Sequence, residues 1–291
     1  MDSPGIQWYP GHIARAEKQL RQQLDRVDLV LEVCDARILL ASRHPCLESW
    51  AGNRPRVMVV NRQDMIPPAA RSCWHRWLQQ HGENPIWCDG RRGGGSKALL
   101  QAAVDAGVAL NARRQQRGLR PRPVRALMLG FPNVGKSALI NRLVGRRAVA
   151  SERRAGVTRS LQWVRMGGQV DLLDAPGILP TRLQDQQAAL LLAICDDIGQ
   201  AAYDHEPVAQ ALLQYLANLV PPQVDERLTG LLATRYGITA DPRVPHRWLQ
   251  AAADEHTSGC AARMARRLLD DFRKGHLGAV ALQAPQPSPD G

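Results

Sequence analysis

Residues 130–137 read GFPNVGKS, between the apolar run RALMLG (125–130) and the helically spaced KSALINRLV (136–144). Nothing else in the 291-residue chain restricts the fold so strongly. A G-x-x-x-x-G-K-S segment between a strand and a helix wraps the backbone around an anion. Gly130 and Gly135 allow the close turn, the N–H groups point inward, and the helix N-terminus adds favourable partial charge. The backbone of Asn133, Val134, Gly135, Lys136, Ser137 and Ala138 is therefore expected to line nucleotide phosphates. The Lys136 ammonium is expected at the β- and γ-phosphates, and the Ser137 hydroxyl on Mg²⁺.

Two other stretches complete the constellation. DAPG (174–177) closes the strand-like QVDLL, so Asp174 is expected as a second Mg²⁺ partner and Gly177 as an N–H donor to the γ-phosphate. Between them lies AGVTRS, where Thr158 is expected to offer Mg²⁺ a second hydroxyl. VMVVNRQD (57–64) is a buried strand ending in Asn-x-x-Asp. Asp64 would accept the N1–H and N2–H₂ donors of guanine together, a pair adenine lacks, while Asn61 is expected to brace the loop and approach the base. Alone, either stretch is an ordinary turn; beside GFPNVGKS both acquire a role. Their order is unusual, since Asn-x-x-Asp precedes the phosphate loop. Reading from Leu119 through DAPG and then from residue 28 to 88 restores the order of a Ras-like GTPase domain. The chain is thus expected to be that domain circularly permuted, its old ends joined through 111–125.

The rest of the chain supports this reading. DLVLEVCDA (28–36), RVMVV (56–60) and PIWC (85–88) read as strands; 12–24, a stretch with Trp74, Trp77 and Leu78, and 96–110 read as helices. NARRQQRGLRPRPVR (111–125) has no apolar period and is expected to be an exposed connector. Beyond about residue 182 only helical patterns recur, at 185–199, 207–219, 225–235 and 258–274. The expected fold is an α/β P-loop NTPase three-layer sandwich, a permuted GTPase domain over 1–182. A small all-α domain (183–284) and a loose tail (285–291) follow.

The formal net charge is +11, which favours a polyanionic partner, nucleic acid or an anionic membrane surface. Six cysteines without a C-x-x-C pair suggest reduced thiols, and the opening MDSPGIQWYPGH lacks the layout of a secretory signal. A cytoplasmic monomer without membrane attachment is expected. In RMARRLLDDFRKGH (263–276), Arg263, Arg266, Arg267, Arg273 and Lys274 surround an apolar face and are expected to meet RNA phosphates.

The arrangement resembles the circularly permuted GTPases of the YlqF/RbgA family. Besides the motifs above, the resemblance rests on IQWYPGHIARA (6–16), VDLVLEVCDAR (27–37), SRHP (42–45) and SGC…LLDDFRKGHLG (258–278). It implies GTP and GDP as ligands and a particle-stimulated GTPase that assembles the large (50S) ribosomal subunit by binding its precursor and rRNA. It also implies a water-orienting role for His12. Where the family has Lys, this chain has Arg62, whose longer stem is expected to cover the guanine base; Ala138 replaces a Thr and Leu39 a Pro. The guanine-capping segment falls on WCDGRR, with Cys88 or Asp89 as candidates. Ile178 follows DAPG where many GTPases carry a water-orienting glutamine, so isolated turnover is expected to be slow. Asn133 is placed to help hold K⁺ beside the phosphates. The alternatives are an RNA-binding factor that uses GTP only as a conformational ligand, and a signalling GTPase at an anionic membrane.

Overall fold

The computed structural model describes residues 17–18, 20–145, 162–166, 168–175, 185–199, 203–224 and 230–285. His12, Thr158, Gly177 and Ile178 lie outside them, as does the expected boundary at 182/183. Six strands form one sheet: β1 (Leu29–Asp35), β2 (Arg56–Asn61), β3 (Ile86–Trp87), β4 (Val124–Leu129), β5 (Gln162–Met166) and β6 (Val170–Asp174). Their order across the sheet is β3-β2-β1-β4-β6-β5, and every neighbouring pair is parallel except β5 with β6.

β1 is buried along its whole length, as a central strand with both faces covered must be. Leu29, Leu31 and Val33 face a core built with α3 (Ser96–Gln116) and α4 (Lys136–Val144), through Leu99, Ala103, Leu139 and Ile140. Val30, on the opposite face, meets Leu20, Leu24 and α1 (Leu47–Ala51) through Leu47 and Trp50. Met58 and Val60 of β2 pack on the same side against Trp74 and Leu78 of α2 (Pro68–Gln80). Glu32 breaks the apolar run in sequence but is neutralised by Arg43 at 3.1 Å and Arg56 at 3.5 Å. The three layers expected from the sequence are present.

Two features differ from expectation. α3 continues to Gln116, six residues past the point where the apolar pattern stops. Ala, Arg and Gln are good helix formers, so the loss of periodicity marks exposure of that turn and not its unwinding. After the cap at Arg117 the chain turns at Gly118, whose φ of +70° suits the left-handed conformation, with Leu119 N–H donating to Arg114 O at 2.9 Å. Asn111 clasps the returning chain on both sides of Arg122, at 3.0 Å each. The second difference is a helix that the pattern reading passed over, Pro245–His256. A proline in the first turn is compatible with a helix start, and Trp248, Leu249, Ala252 and Ala253 form its buried stripe.

The C-terminal helices are α5 (Gln186–Cys195), α6 (His205–Ala217), α7 (Leu231–Tyr236), α8 (Pro245–His256) and α9 (Ala261–Lys274). Asp185 and Asp204 cap the first two through their side chains. Of the expected 225–235 helix, the described part is α7. These helices share a core that also takes in Ile38 and Phe131 from the sheet's loops. The chain then returns to the sheet. Val280 N–H donates to Met65 O and Leu282 N–H to Arg37 O, each at 2.8 Å, while Gln283 Oε1 accepts from Leu40 and Ala41.

Candidate nucleotide site

β1, β2 and β3 extend the sheet in one direction, and β4 with β6 in the other. The chain therefore reverses between β1 and β4, where open α/β sheets bind ligands at the carboxyl ends of their strands. The loops carrying Asn61–Asp64, Gly130–Gly135 and Asp174 all leave that edge.

The phosphate loop is fixed by close backbone contacts. Gly135 has φ +102°, and a Cβ there would collide with the Asn61 amide nitrogen; at Gly130 it would collide with Val33 O. Val134 is buried in the sheet core, and Ala138 is half-buried at the start of α4. Lys136 is buried, its ammonium donating to Phe131 O at 2.8 Å and Gly130 O at 3.1 Å. Burial pulls its pKa down to about 8, against the charges of Asp174 and Asp197. The Ser137 hydroxyl donates to Asp174 Oδ2 at 3.1 Å, bringing the two expected Mg²⁺ partners together across 37 residues of chain. Behind the loop, His44 of SRHP packs on Trp50 and Phe131, with ring centroids 4.4 and 5.4 Å away. Burial lowers its pKa to about 4, leaving a neutral support.

Asn61 acts as the expected brace. Its amide donates to Val134 O at 2.9 Å, and its Oδ1 accepts from Gly90 N–H at 3.0 Å, tying the phosphate loop to the segment after β3. Asp64 sits in the short turn after Arg62; its buried Oδ1 has no hydrogen-bond partner among the described residues. That oxygen suits a ligand bearing N–H donors.

Three expected side chains are placed otherwise. Cys88 is fully buried in the sheet core, where burial first and then the charge of Asp89 push its thiol up to about 12. Its thiol cannot serve as a guanine cap. Asp89 Oδ1 accepts from Arg91 and Arg92 N–H at 2.8 and 2.9 Å, closing its own turn. Among the C-terminal basic residues, Arg273 is buried and donates to Ala193 O, Ile194 O and Tyr203 Oη. It stitches α9 to α5 and is not a surface contact. Lys274 is exposed but paired with Asp270 at 3.1 Å. Arg263, Arg266 and Arg267 remain exposed on α9, away from the apolar face made by Met264, Leu268, Leu269 and Phe272.

A buried charge network, absent from the sequence reading, ties this site to the helices. Arg37 is fully buried and pairs with Asp35 through Nε at 3.0 Å and Nη2 at 2.7 Å, and Nη2 also reaches Cys195 O at 3.1 Å. Burial opposes ionisation of Asp35, but Arg37 and Arg62 together hold its pKa well below the usual range. Arg62, expected over the guanine base, is drawn instead to buried carboxylates: at φ +62° it sends its guanidinium to Asp35 (2.5 Å), to Asp197 (3.4 Å) and to the Asn133 carbonyl. The Asn133 amide in turn donates to Asp196 O at 2.8 Å. Burial, followed by the negative charge of Asp35, raises the Asp197 pKa well above its ordinary value. Asp196 lies 63 residues from Asn133 of the phosphate loop, and the Asp196–Asp197 pair belongs to no motif, so no local signal pointed to it.

The sequence of residues 125–225 matches a family model described as a 50S ribosome-binding GTPase. Ribosome biogenesis GTPase A of Bacillus cereus is 35% identical over 222 residues, covering 76% of this chain and 75% of its own. The protein of the same name from Bacillus pumilus is 34% identical over 222 residues, covering 76% and 79%. GNP-bound YlqF from T. maritima shares the fold, with a TM-score of 0.61 at 20% identity over 94% of this chain and 100% of that one.

Proposed function

We propose, from the premise that this chain belongs to the ribosome biogenesis GTPase A (YlqF/RbgA) family and is a GTPase, that it assembles the large ribosomal subunit. In this reading its nucleotide state sets its grip on the precursor particle and the particle's rRNA. The observation that carries it is the meeting of Lys136, Ser137, Asp174 and Asp64 at one sheet edge, in a chain related to those proteins over three quarters of its length.

The residues then divide the work. Backbone N–H groups of 133–138 and the α4 N-terminus hold the phosphates. Lys136 leaves the carbonyls of Gly130 and Phe131 to meet negative charge developing on the β- and γ-oxygens. Ser137 and Asp174 offer two hard oxygen atoms 3.1 Å apart, a donor set that fits Mg²⁺. A Mg²⁺ held by these two, with Thr158 as the third residue assigned to it, would supply neutralisation of phosphate charge. Asp64 selects guanine, and Arg62 clamps the phosphate loop from behind. Asn133 has its amide on Asp196, so any contact with K⁺ falls to its side-chain oxygen. Residues 1–182 form the GTPase domain, and 183–284 carry part of the particle contact.

Because Ile178 cannot orient water, the isolated protein turns over slowly and the particle stimulates it, with His12 as the candidate group in this chain. The test is co-sedimentation with large-subunit particles in GTP, GDP and a non-hydrolysable analogue, with turnover measured alongside. Binding that depends on nucleotide and a particle-stimulated rate are expected, both lost in Lys136→Ala. Equal binding in all three states would leave GTP without a role in assembly, and rapid turnover without particles would place the water-orienting group wholly in cis.

A further inference from the structure

Between Asp105 and Glu152 the chain holds no acidic residue, but it holds nine arginines and Lys136, which is +10 of a formal net charge of +11. The folded chain uses some of these internally. Lys136 lies in the phosphate loop, Arg122 pairs with Asp28 at 2.7 Å, Arg125 stacks over Trp163, and Arg142 donates to Arg92 O. Arg113, Arg114, Arg117 and Arg120 form no ion pair among the described residues. All but Arg114 are exposed.

These four sit together by construction. Arg113 and Arg114 occupy the last turn of α3 and Arg117 is its C-cap, and Arg114 Nε donates to Arg120 O at 3.0 Å, folding the connector back beside the helix. The Asn111 clasp on Arg122 and the capped turn at Gly118 hold that geometry. Like charges this close repel one another, and ordinary surfaces relieve that by placing carboxylates between them. Here no carboxylate among the described residues pairs with them. A rigid, unpaired group of guanidinium groups is suited to a polyanion with closely spaced phosphates.

We propose that this tip, the end of α3 with the connector 117–120, is the principal RNA-binding surface of the chain. The proposal rests on the reading of an rRNA partner given above and moves the main contact away from α9. The tip lies at the amino edge of β4 and the phosphate loop at its carboxyl edge, roughly 20 Å apart along a six-residue strand. The tip's own share of RNA binding is therefore independent of the bound nucleotide, and the nucleotide-dependent part of the grip comes from contacts at the opposite edge. α9 is the weaker candidate because Arg273 is buried, Lys274 is paired, and Asp271 is bound to Arg235 and His276.

The experiment compares wild type, R113Q/R114Q/R117Q/R120Q and R263Q/R266Q/R267Q for binding to a large-subunit rRNA transcript across a salt series, in GTP and in GDP. Anionic vesicles serve as the second probe. Losing four phosphate contacts is expected to flatten the log–log salt slope by about 3 and to weaken binding at least about tenfold, equally in both nucleotides. Nucleotide affinity should stay at the wild-type value, which also reports that the variant folds. Wild-type affinity and slope in the tip variant overturn the proposal, as does a loss confined to the α9 variant. A tip variant that loses vesicle binding but keeps RNA would assign the surface to a membrane instead. A wild-type chain that binds no rRNA sinks both this surface and the functional reading beneath it.

Discussion

Raising the pH from about 7 to about 8.5 is expected to weaken GTP binding about fourfold, through Lys136 alone. Its ammonium is buried and rests on two loop carbonyls, and desolvation brings its pKa to about 8 despite the nearby carboxylates. A group with that pKa is about nine-tenths charged at the lower pH and about one quarter at the higher; each further pH unit costs about tenfold. Phosphates stabilise the ammonium, so binding is fullest below pH 8 and takes up a proton above it. The same lowered pKa sets the sign for stability without nucleotide. The unfolded chain binds more protons between about 8 and the ordinary lysine value, so folding stability should rise with pH in that window, by at most about 3 kcal/mol. Affinity is measured with a fluorescent GTP analogue. Proton uptake is measured by calorimetry in buffers of different ionisation enthalpy. Lys136→Met should bind weakly and lose the pH dependence. A flat wild-type profile, or a slope that survives in Lys136→Met, would refute the assignment.

Asp64→Asn should weaken GTP binding on the order of 10²-fold while improving xanthine nucleotides, whose 2-oxo group needs a donor; competition between GTP and xanthosine triphosphate reads this, and unchanged preference would remove Asp64 from the base site. Arg37→Met should cost about 3–5 kcal/mol in urea unfolding, because it leaves Asp35 buried with only the half-exposed Arg62 and removes the donor to Cys195 O. A loss under about 1 kcal/mol would mean that the pair is not a main tie between sheet and helices.

The loops proposed to hold nucleotide were legible because their chemistry is local. Gly130, Gly135, Lys136 and Ser137 lie within eight residues and need only a strand before and a helix after them. Asn61 and Asp64 were legible for the same reason. The guanine-capping candidates were not: whether Cys88 and Asp89 face a ligand or their own turn depends on packing against β2 and on the Asn61 brace. Arg273 shows the same limit on a helix. Its position beside Lys274 looked solvated, yet α5 and Tyr203 arrive over it and supply three acceptors. The end of α3 failed in the opposite sense, since a polar helix without an apolar stripe gives no periodic signal.

By itself the sequence determined the permuted α/β architecture, the phosphate loop, Asp174 as the residue proposed to share Mg²⁺ with it, and the concentration of positive charge in 106–151. Each of these is written in neighbouring residues or in composition. Only the tertiary structure decided which arginines are surface and which are structural, and how the nucleotide site is joined to the helices. Arg37 and Arg62 are drawn inward because Asp35 and Asp197, distant in the chain, meet there out of water, while Arg113 and Arg117 stay exposed because no carboxylate among the described residues pairs with them. A charge buried without a partner costs several kcal/mol, so partners far apart in sequence decide where each arginine lies.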